Sequence, residues 1–328
     1  MIISQTPLRM SFVGGGSDLP SFYRKQPGAV ISTTIDKYIY INVNKKFDNL
    51  IRASYSITEF AAKPSKLKHE LIRESLKLLG IKGGIEITSI ADIPSGGTGL
   101  GSSSTYTVGL LNALNAYLSR FSSKEYLAST ACQIEIKNCH KPIGKQDQYA
   151  AAYGGLNLIE FRPDDTVAVN PIICSTATKH KLNQNLLLLY TGITRSADKI
   201  LANQNKNTIS NIKTRDILGH MVKLAYSQAK ALSNDDLKSF GEALDENWNL
   251  KTKLSQGISN PTFDRWYKTA KSHGALGGKI LGAGGGGFLL LYAPKSKHDA
   301  IINALPKLRK IDFSFDTEGS KIIYYQQH

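Results

Sequence analysis

Cysteine is scarce in this 328-residue chain, and the three present, Cys132, Cys139 and Cys174, are wrongly spaced for a disulfide framework or a zinc site. They read as reduced thiols, and the chain as a cytoplasmic protein. Long apolar runs are lacking too. No stretch approaches the roughly 20 residues of a membrane-spanning helix. The start, Met1-Ile-Ile-Ser-Gln-Thr-Pro-Leu-Arg9, has no charged segment leading into an apolar one, so no signal peptide is expected. Internal repeats are missing, and the one biased stretch, the mostly polar Asn203 to Asn211, reads as a mobile loop. Acidic residues are in short supply: 26 Asp and Glu stand against 41 Lys and Arg, a formal net charge of +15. That excess suits anionic partners, whether nucleic acid, membrane surface or phosphorylated small molecules. A nucleic-acid binder would gather its basic residues in clusters interleaved with aromatics or on a known module. Here they are spread along the chain, so neither nucleic acid nor membrane is expected as a partner, and the oligomeric state stays open.

A Walker-type phosphate loop is also lacking, because neither Gly144-Lys145 nor Gly278-Lys279 is followed by Ser or Thr. What the chain has instead is Pro94-Ser-Gly-Gly-Thr-Gly-Leu-Gly-Ser-Ser-Ser104. Upstream, Gly84 to Ser89 alternates apolar and polar as a strand does. Downstream, Thr105 to Leu118 places Val108, Leu111, Leu114 and Leu118 at helical spacing. The loop therefore delivers glycines and serines to a helix N-terminus, where unpaired N–H groups and the dipole favour an anion. It reads as a phosphate cradle formed by Gly96, Gly97, Thr98, Gly99, Leu100, Gly101, Ser102, Ser103 and Ser104, entered at Pro94.

Two more glycine-rich stretches flank it. Pro7-Leu-Arg-Met-Ser-Phe-Val-Gly-Gly-Gly-Ser-Asp18 follows a short strand over Ile2 to Gln5 and reads as a sharp turn presenting a hydroxyl and a carboxylate. Gly282-Ala-Gly-Gly-Gly-Gly-Phe288 matches a dinucleotide fingerprint formally, but a strand, Phe288 to Tyr292, follows it where that motif needs a helix. Strands are also expected over Gly28–Thr34, Lys37–Lys45, Leu156–Phe161, Leu186–Tyr190, Ile311–Phe315 and Lys321–Tyr325. Helices are expected over Lys66–Leu79, stopping at Gly80, and over Ser123 to about Lys137 behind a Ser122-x-x-Glu125 capping box. Further ones cover a short Ala-rich segment after Gly144, Thr214–Leu232, Asp235–Leu254, Thr262–Ser272 and Lys295–Leu305. The domain change is placed near Thr178, giving units 1–178 and 179–328.

Taken together in this order, the three glycine-rich strings resemble the three motifs of the GHMP small-molecule kinases. The resemblance spans residues 7 to 288. It implies an α+β protein whose ATP-binding N-terminal domain is like the second domain of ribosomal protein S five, followed by a ferredoxin-like C-terminal domain. Within the family, Pro7 to Asp18, Asp36-Lys-Tyr38 and Thr191-Gly-Ile-Thr-Arg195 most resemble the branch acting on heptose 7-phosphate, and L-fucose kinase domains share much of the first string. The implied reaction is ATP-dependent phosphorylation of the anomeric hydroxyl of a sugar phosphate, with fucose- or galactose-type kinases as the alternative. Asp147, in Gly144-Lys-Gln-Asp-Gln148, would take the acceptor proton, and Arg9 would pair with it and offset charge on the phosphoryl group. Ser103 and Glu135 would hold Mg²⁺, Gly15, Gly16, Ser17 and Asp18 would meet the sugar, and Gly284, Gly285 and Gly286 would close the acceptor side. Arg195 is the first candidate for the distal phosphate.

Overall fold

The computed structural model describes residues 1–94, 97–194 and 197–326. Seven strands come first: β1 (Ile2–Val13), β2 (Gly28–Lys45), β3 (Ile51–Ser54), β4 (Thr58–Ala61), β5 (Ile85–Ala91), β6 (Asn157–Phe161) and β7 (Val167–Pro171). Next come β8 (Leu186–Tyr190), β9 (Gly277–Ile280), β10 (Phe288–Tyr292) and β11 (Arg309–Ile311), and last β12 (Phe315–Asp316) and β13 (Lys321–Tyr325). Among the described residues they form a nine-stranded sheet in the order β13-β1-β2-β5-β3-β4, with β6, β7 and β12 off the β2 end, and a four-stranded sheet β11-β8-β10-β9. The second sheet is antiparallel throughout, and its strand order is the ferredoxin-like one expected. The last two strands leave it and rejoin the first sheet.

The long β1–β2 pair is the frame of the molecule. It runs in antiparallel register from Ile2 opposite Val43 to Val13 opposite Ile31. The sequence reads as a short first strand and two separate strands in place of β2. The difference is a bulge: Pro7 faces Tyr38 and Leu8 faces Ile35, so Asp36 and Lys37 are extra residues in an unbroken strand. Proline cannot donate to a ladder, and the bulge sits where Pro7 breaks it. β9 is missed because its two glycines carry no strand signal. They are glycines because neighbours press close: a Cβ on Gly277 would lie 2.0 Å from the Gly241 carbonyl oxygen, and one on Gly278 would lie 2.5 Å from that of Leu290.

Helices cover the sheets: α1 (Pro20–Tyr23), α2 (Glu70–Leu79), α3 (Ser102–Tyr117), α4 (Lys124–Cys132), α5 (Gln146–Tyr153) and α6 (Thr176–Asn185). α7 (Ala197–Ser210), α8 (Ile212–Ser233), α9 (Phe240–Lys251), α10 (Pro261–Ser272) and α11 (His298–Ala304) follow. Thr178 lies inside α6, between the two sheets. α3 is buried on nearly every face, and it packs onto β1 through Gly109, whose carbonyl accepts from the Ser4 hydroxyl at 2.8 Å.

Several helix boundaries differ from the sequence reading: α2 starts at Glu70 rather than Lys66, and α11 covers only His298–Ala304 of the expected Lys295–Leu305. Ser123, not Ser122, caps α4, accepting from Tyr126 N at 3.1 Å. Glu125 is turned instead toward the Tyr149 and Tyr153 hydroxyls, at 2.7 and 3.1 Å. Asn234 closes α8 rather than opening the next helix, and α9 starts at Phe240. The Asn203 to Asn211 stretch is mostly the end of α7. Its polar residues are used: Gln204 and Thr208 are buried, and Asn207 Nδ2 donates to the Leu254 carbonyl at 2.9 Å.

Candidate active site

β1 carries Arg9 into the interior, where the Arg9 backbone N–H donates to the Leu100 carbonyl at 3.1 Å and so pins the glycine–serine loop to the strand. The Arg9 side chain is 4% exposed, and a buried guanidinium must be paired. Its Nε and Nη2 donate to the two carboxylate oxygens of Asp147, both at 2.8 Å, and Nη1 donates to the Gly99 carbonyl at 2.6 Å. A planar fork on a planar carboxylate fixes both groups. Asp147 sits in the first turn of α5 and keeps a quarter of its surface open.

The loop itself ends at Gly101, in the left-handed region at φ 76°, and α3 begins with Ser102, with no side chain capping it. Its first-turn N–H groups are thus offered to an anion. Gly101 lies directly against the ion pair: an added Cβ would stand 3.1 Å from Arg9 Cγ and 3.3 Å from Asp147 Oδ2. The third glycine string packs on the same loop backbone to backbone. A Cβ on Gly99 would meet the Leu281 carbonyl oxygen at 2.3 Å, and one on Gly287 would meet that of Thr98 at 2.1 Å.

A cavity of about 330 Å³ opens beside the pair, lined on one wall by Gly97, Thr98, Gly99 and the Gly101–Ser104 segment. Its other walls are Gly16, Asp18, Gln146, Asp147, Gln204 and Lys251, with Gly282 and Ala283. This is the size of a small-molecule site. A second cavity, about 410 Å³, lies across Ser102 and Ser103, which line both. Its walls include Tyr55, His69, Ile93, Pro94 and Tyr106. The His69 ring lies 4.5 Å from that of Tyr55 and 5.1 Å from that of Tyr106, and burial lowers its pKa.

Charges in the first cavity are tightly coupled. Burial, with the Asp147 charge adding to it, raises the Asp18 carboxyl above its usual range. Asp18 accepts from Gly16 N at 3.0 Å and from Gln146 N and Nε2 at 3.3 Å. Lys251, reaching in from α9, donates to the Gly282 carbonyl at 2.6 Å. Burial, then Arg9, pushes its ammonium down from 10.5 to about 8, against the pull of Asp18 and Asp147. Behind it, fully buried Lys279 donates to the Ser11 and Phe12 carbonyls at 2.8 and 2.9 Å, tying β9 to β1. Burial and the Lys251 charge hold it well below the ordinary lysine range.

Glu135 is positioned by a π-helical segment, Gln133–Asn138, that continues α4, a wide turn of the kind often found at functional sites. It is fully buried and lines neither cavity. Ser103 Oγ donates to it at 2.9 Å and Gln148 Nε2 at 2.5 Å, and burial raises its pKa. Among the described residues no group of three or more His, Cys, Asp or Glu could hold a metal.

The structure thus gathers Arg9, Gly16, Asp18, Gly97, Thr98, Gly99, Gly101, Ser102, Ser103, Ser104 and Asp147 around one cavity. Others stand apart. Ser17 is fully buried and its hydroxyl closes the turn, donating to the Gly14 carbonyl at 2.8 Å. Leu100 is core, Gly15 backs onto Ser11, and Pro94 faces the second cavity. Gly285 N donates to the Ile258 carbonyl at 3.0 Å. The cavity wall there is Gly282 and Ala283 rather than Gly284, Gly285 and Gly286. Gly96 and Arg195 lie outside the described residues. The sequence reading did not reach Lys251, Gln204 or the Tyr55–His69–Tyr106 cluster. Each is a single residue in an ordinary helix or loop, brought in only by the fold.

A loop that offers bare helix N–H groups, set against an arginine-held carboxylate, defines a small-molecule phosphotransferase. Residues 66–155 match the GHMP kinases N terminal domain and residues 228–310 the GHMP kinases C terminal. The chain is 32% identical over 337 residues to a D-glycero-alpha-D-manno-heptose 7-phosphate kinase of Campylobacter jejuni, covering 98% of both. It is 25% identical to an L-fucokinase/L-fucose-1-P guanylyltransferase of Bacteroides fragilis, over 98% of this chain and 38% of that protein. The crystal structure of a D-glycero-D-manno-heptose 1-phosphate kinase from Bacteroides thetaiotaomicron superposes with a TM-score of 0.82 at 25% identity, covering both chains fully. This chain belongs to the GHMP kinases, and is an ATP-dependent kinase of small molecules. Among the described residues no helix is long and apolar enough to cross a membrane.

Proposed function

We propose that the protein moves the γ-phosphoryl group of ATP to the anomeric hydroxyl of D-glycero-D-manno-heptose 7-phosphate, forming the 1,7-bisphosphate. The observation that carries this reading is the Arg9–Asp147 fork lying against Gly101, with the 330 Å³ cavity beside it. Likeness to the Campylobacter heptose 7-phosphate kinase over nearly all of both chains supports the choice of sugar. The acceptor occupies the first cavity. The nucleotide base occupies the second, between aromatic rings, and the triphosphate crosses Ser102 and Ser103 between them.

Phosphoryl transfer asks mainly for positioning and charge neutralisation. Asp147 keeps free lone pairs beside the two bonds from Arg9, and accepts the acceptor's proton as its oxygen attacks. Arg9 fixes that carboxylate and offsets charge on the transferring group. The N–H groups at the start of α3 hold the phosphate oxygens. Mg²⁺, which takes one or two protein oxygens and keeps waters and phosphates as its other ligands, suits the Ser103–Glu135 oxygen pair. Held by that pair, Mg²⁺ would supply positive charge to the phosphates, and a cation there would offset the cost of ionising buried Glu135. Lys251 and Lys141, both facing the cavity, are the described cations for a phosphorylated acceptor, with Arg195 kept as a candidate.

The test is ADP release with heptose 7-phosphate beside fucose, galactose and mannose, with ³¹P spectra locating the new ester. Turnover with heptose 7-phosphate at least about tenfold faster in kcat/KM than with any unphosphorylated sugar is expected, since a site built for a polar group rejects substrates lacking it. Preference for fucose would move the protein to the L-fucokinase branch.

A further inference from the structure

One face of α7 borders the acceptor cavity with Ala197, Leu201 and Gln204, spaced by four and three residues. Gln204 is 1% exposed. Its backbone carbonyl accepts from Thr208 Oγ1 at 2.8 Å, but its side-chain Nε2 has no hydrogen-bond partner among the described residues. The amide lies against Gly16, which lines the same cavity: a Cβ there would fall 2.3 Å from Nε2 and 3.4 Å from the amide carbon. Buried polar atoms in native proteins are almost always satisfied, and an exception calls for a partner the protein alone does not supply. Thirteen buried side-chain polar atoms lack a partner among the described residues, and a second of them lines the same cavity. Gln146 gives its Nε2 to Asp18 at 3.3 Å, while its Oε1 is buried and unpartnered.

One orphan is a donor and the other an acceptor. A phosphate oxygen only accepts, whereas an alcohol both donates and accepts. We propose that Gln204 is a specificity-determining residue that donates a hydrogen bond to a ring hydroxyl of the acceptor, with Gln146 Oε1 accepting a hydrogen bond from a hydroxyl of the same molecule. The ligand chemistry is that of a polyol ring. The inference rests on the first cavity being the acceptor site, and it assigns sugar discrimination to the second half of the chain, through α7.

The test pairs Gln204→Leu and Gln204→Glu with deoxy analogues of the accepted sugar. Gln204→Leu fills the same space without a donor, and Gln204→Glu keeps the shape while removing the donor. Both are expected to raise the acceptor KM by about 10- to 100-fold with the ATP KM within about twofold, as loss of one buried hydrogen bond to a substrate does. One deoxy analogue carries the same loss on the wild type, and the variants add nothing to it. The melting temperature of Gln204→Leu stays level or rises, because an orphaned amide is removed, whereas a residue of merely structural value would lower it. An unchanged acceptor KM in both variants, or a wild type indifferent to every ring hydroxyl, overturns the inference. If the wild type releases ADP with no sugar tried, the kinase assignment fails by itself. Calorimetric binding of the same sugars then decides Gln204: equal affinity in wild type and Gln204→Leu, or no binding by either, overturns it.

Discussion

The Arg9–Asp147 fork makes two residues act as one. Asp147→Asn preserves one oxygen for Arg9 and the shape of the α5 start, but removes the carboxylate proposed as the base. Turnover is expected to fall by about 10²- to 10⁴-fold, with the fold retained in circular dichroism and the ATP KM little altered. Near-normal turnover would take Asp147 out of the chemistry. Lys251 makes a pH prediction. Its proton leaves at about 8 in the folded protein, against 10.5 ordinarily. As a cation facing an anionic acceptor it should give kcat/KM for that acceptor an alkaline limb near pH 8, and Lys251→Met should lose the limb. Stability moves the other way. Between pH 8 and 10.5 the unfolded chain binds more protons than the folded one, so wild-type stability relative to Lys251→Met rises with pH across that window. Urea unfolding at pH 7.5 and pH 10 measures it, and a flat difference would mean that the amine is not desolvated.

At the scale of elements, the site depends on how closely α3 lies on β1. Gly109 permits that contact: a Cβ there would stand 2.7 Å from Thr6 Oγ1. Gly109→Val should destabilise by at least the usual 1–3 kcal/mol or so of an overpacked core. It should also lower turnover, since α3 carries Ser102 and Ser103. Unchanged thermal and kinetic behaviour would show that the interface yields freely. Here too lies the boundary of what the sequence could reveal. α3 and the loop before it were legible because glycine and serine at a helix start have one physical meaning. The Arg9, Asp18 and Asp147 grouping was legible only through the family resemblance, because it joins residues more than 120 positions apart. The end of α7, from Asn203, was misjudged because Asn, Gln and Thr resemble loop composition until their buried partners are known. β9 was invisible because its glycines answer to neighbours supplied by α9 and β10. The bulge at Asp36-Lys37 looked like a break because a strand's pattern slips by the same residues that a turn would use.

Across the whole molecule, the contacts that join the halves at the site include the glycine backbones of residues 99 and 282 and the Lys279 side chain reaching β1. Nothing bulkier fits at the first, and the first cavity beside it takes walls from both halves. The end of the chain is part of the same construction. β13 pairs with the outer edge of β1, the Thr6 and Ser320 hydroxyls are bonded at 2.8 Å, and Tyr38 donates to Asp316 at 2.6 Å. A chain ending after Asp312 should therefore lose the cooperative thermal transition of the first sheet, although every GHMP motif remains in it. A truncated protein melting like the full chain would show that β1 tolerates an open edge.

That returning strand also governs the order of events at the ribosome. In the nascent first half β1 has β2 on one side, while β13, which pairs with Ile2–Gln5 on the other, is translated after every strand of the second sheet. Until β13 emerges, the Ile2–Gln5 edge of β1 offers bare backbone to any neighbour that can add to it. Slow elongation through the second half prolongs this exposure, so expression yield should be sensitive to codon choice downstream of β8 and to holdase chaperones that shield strand edges.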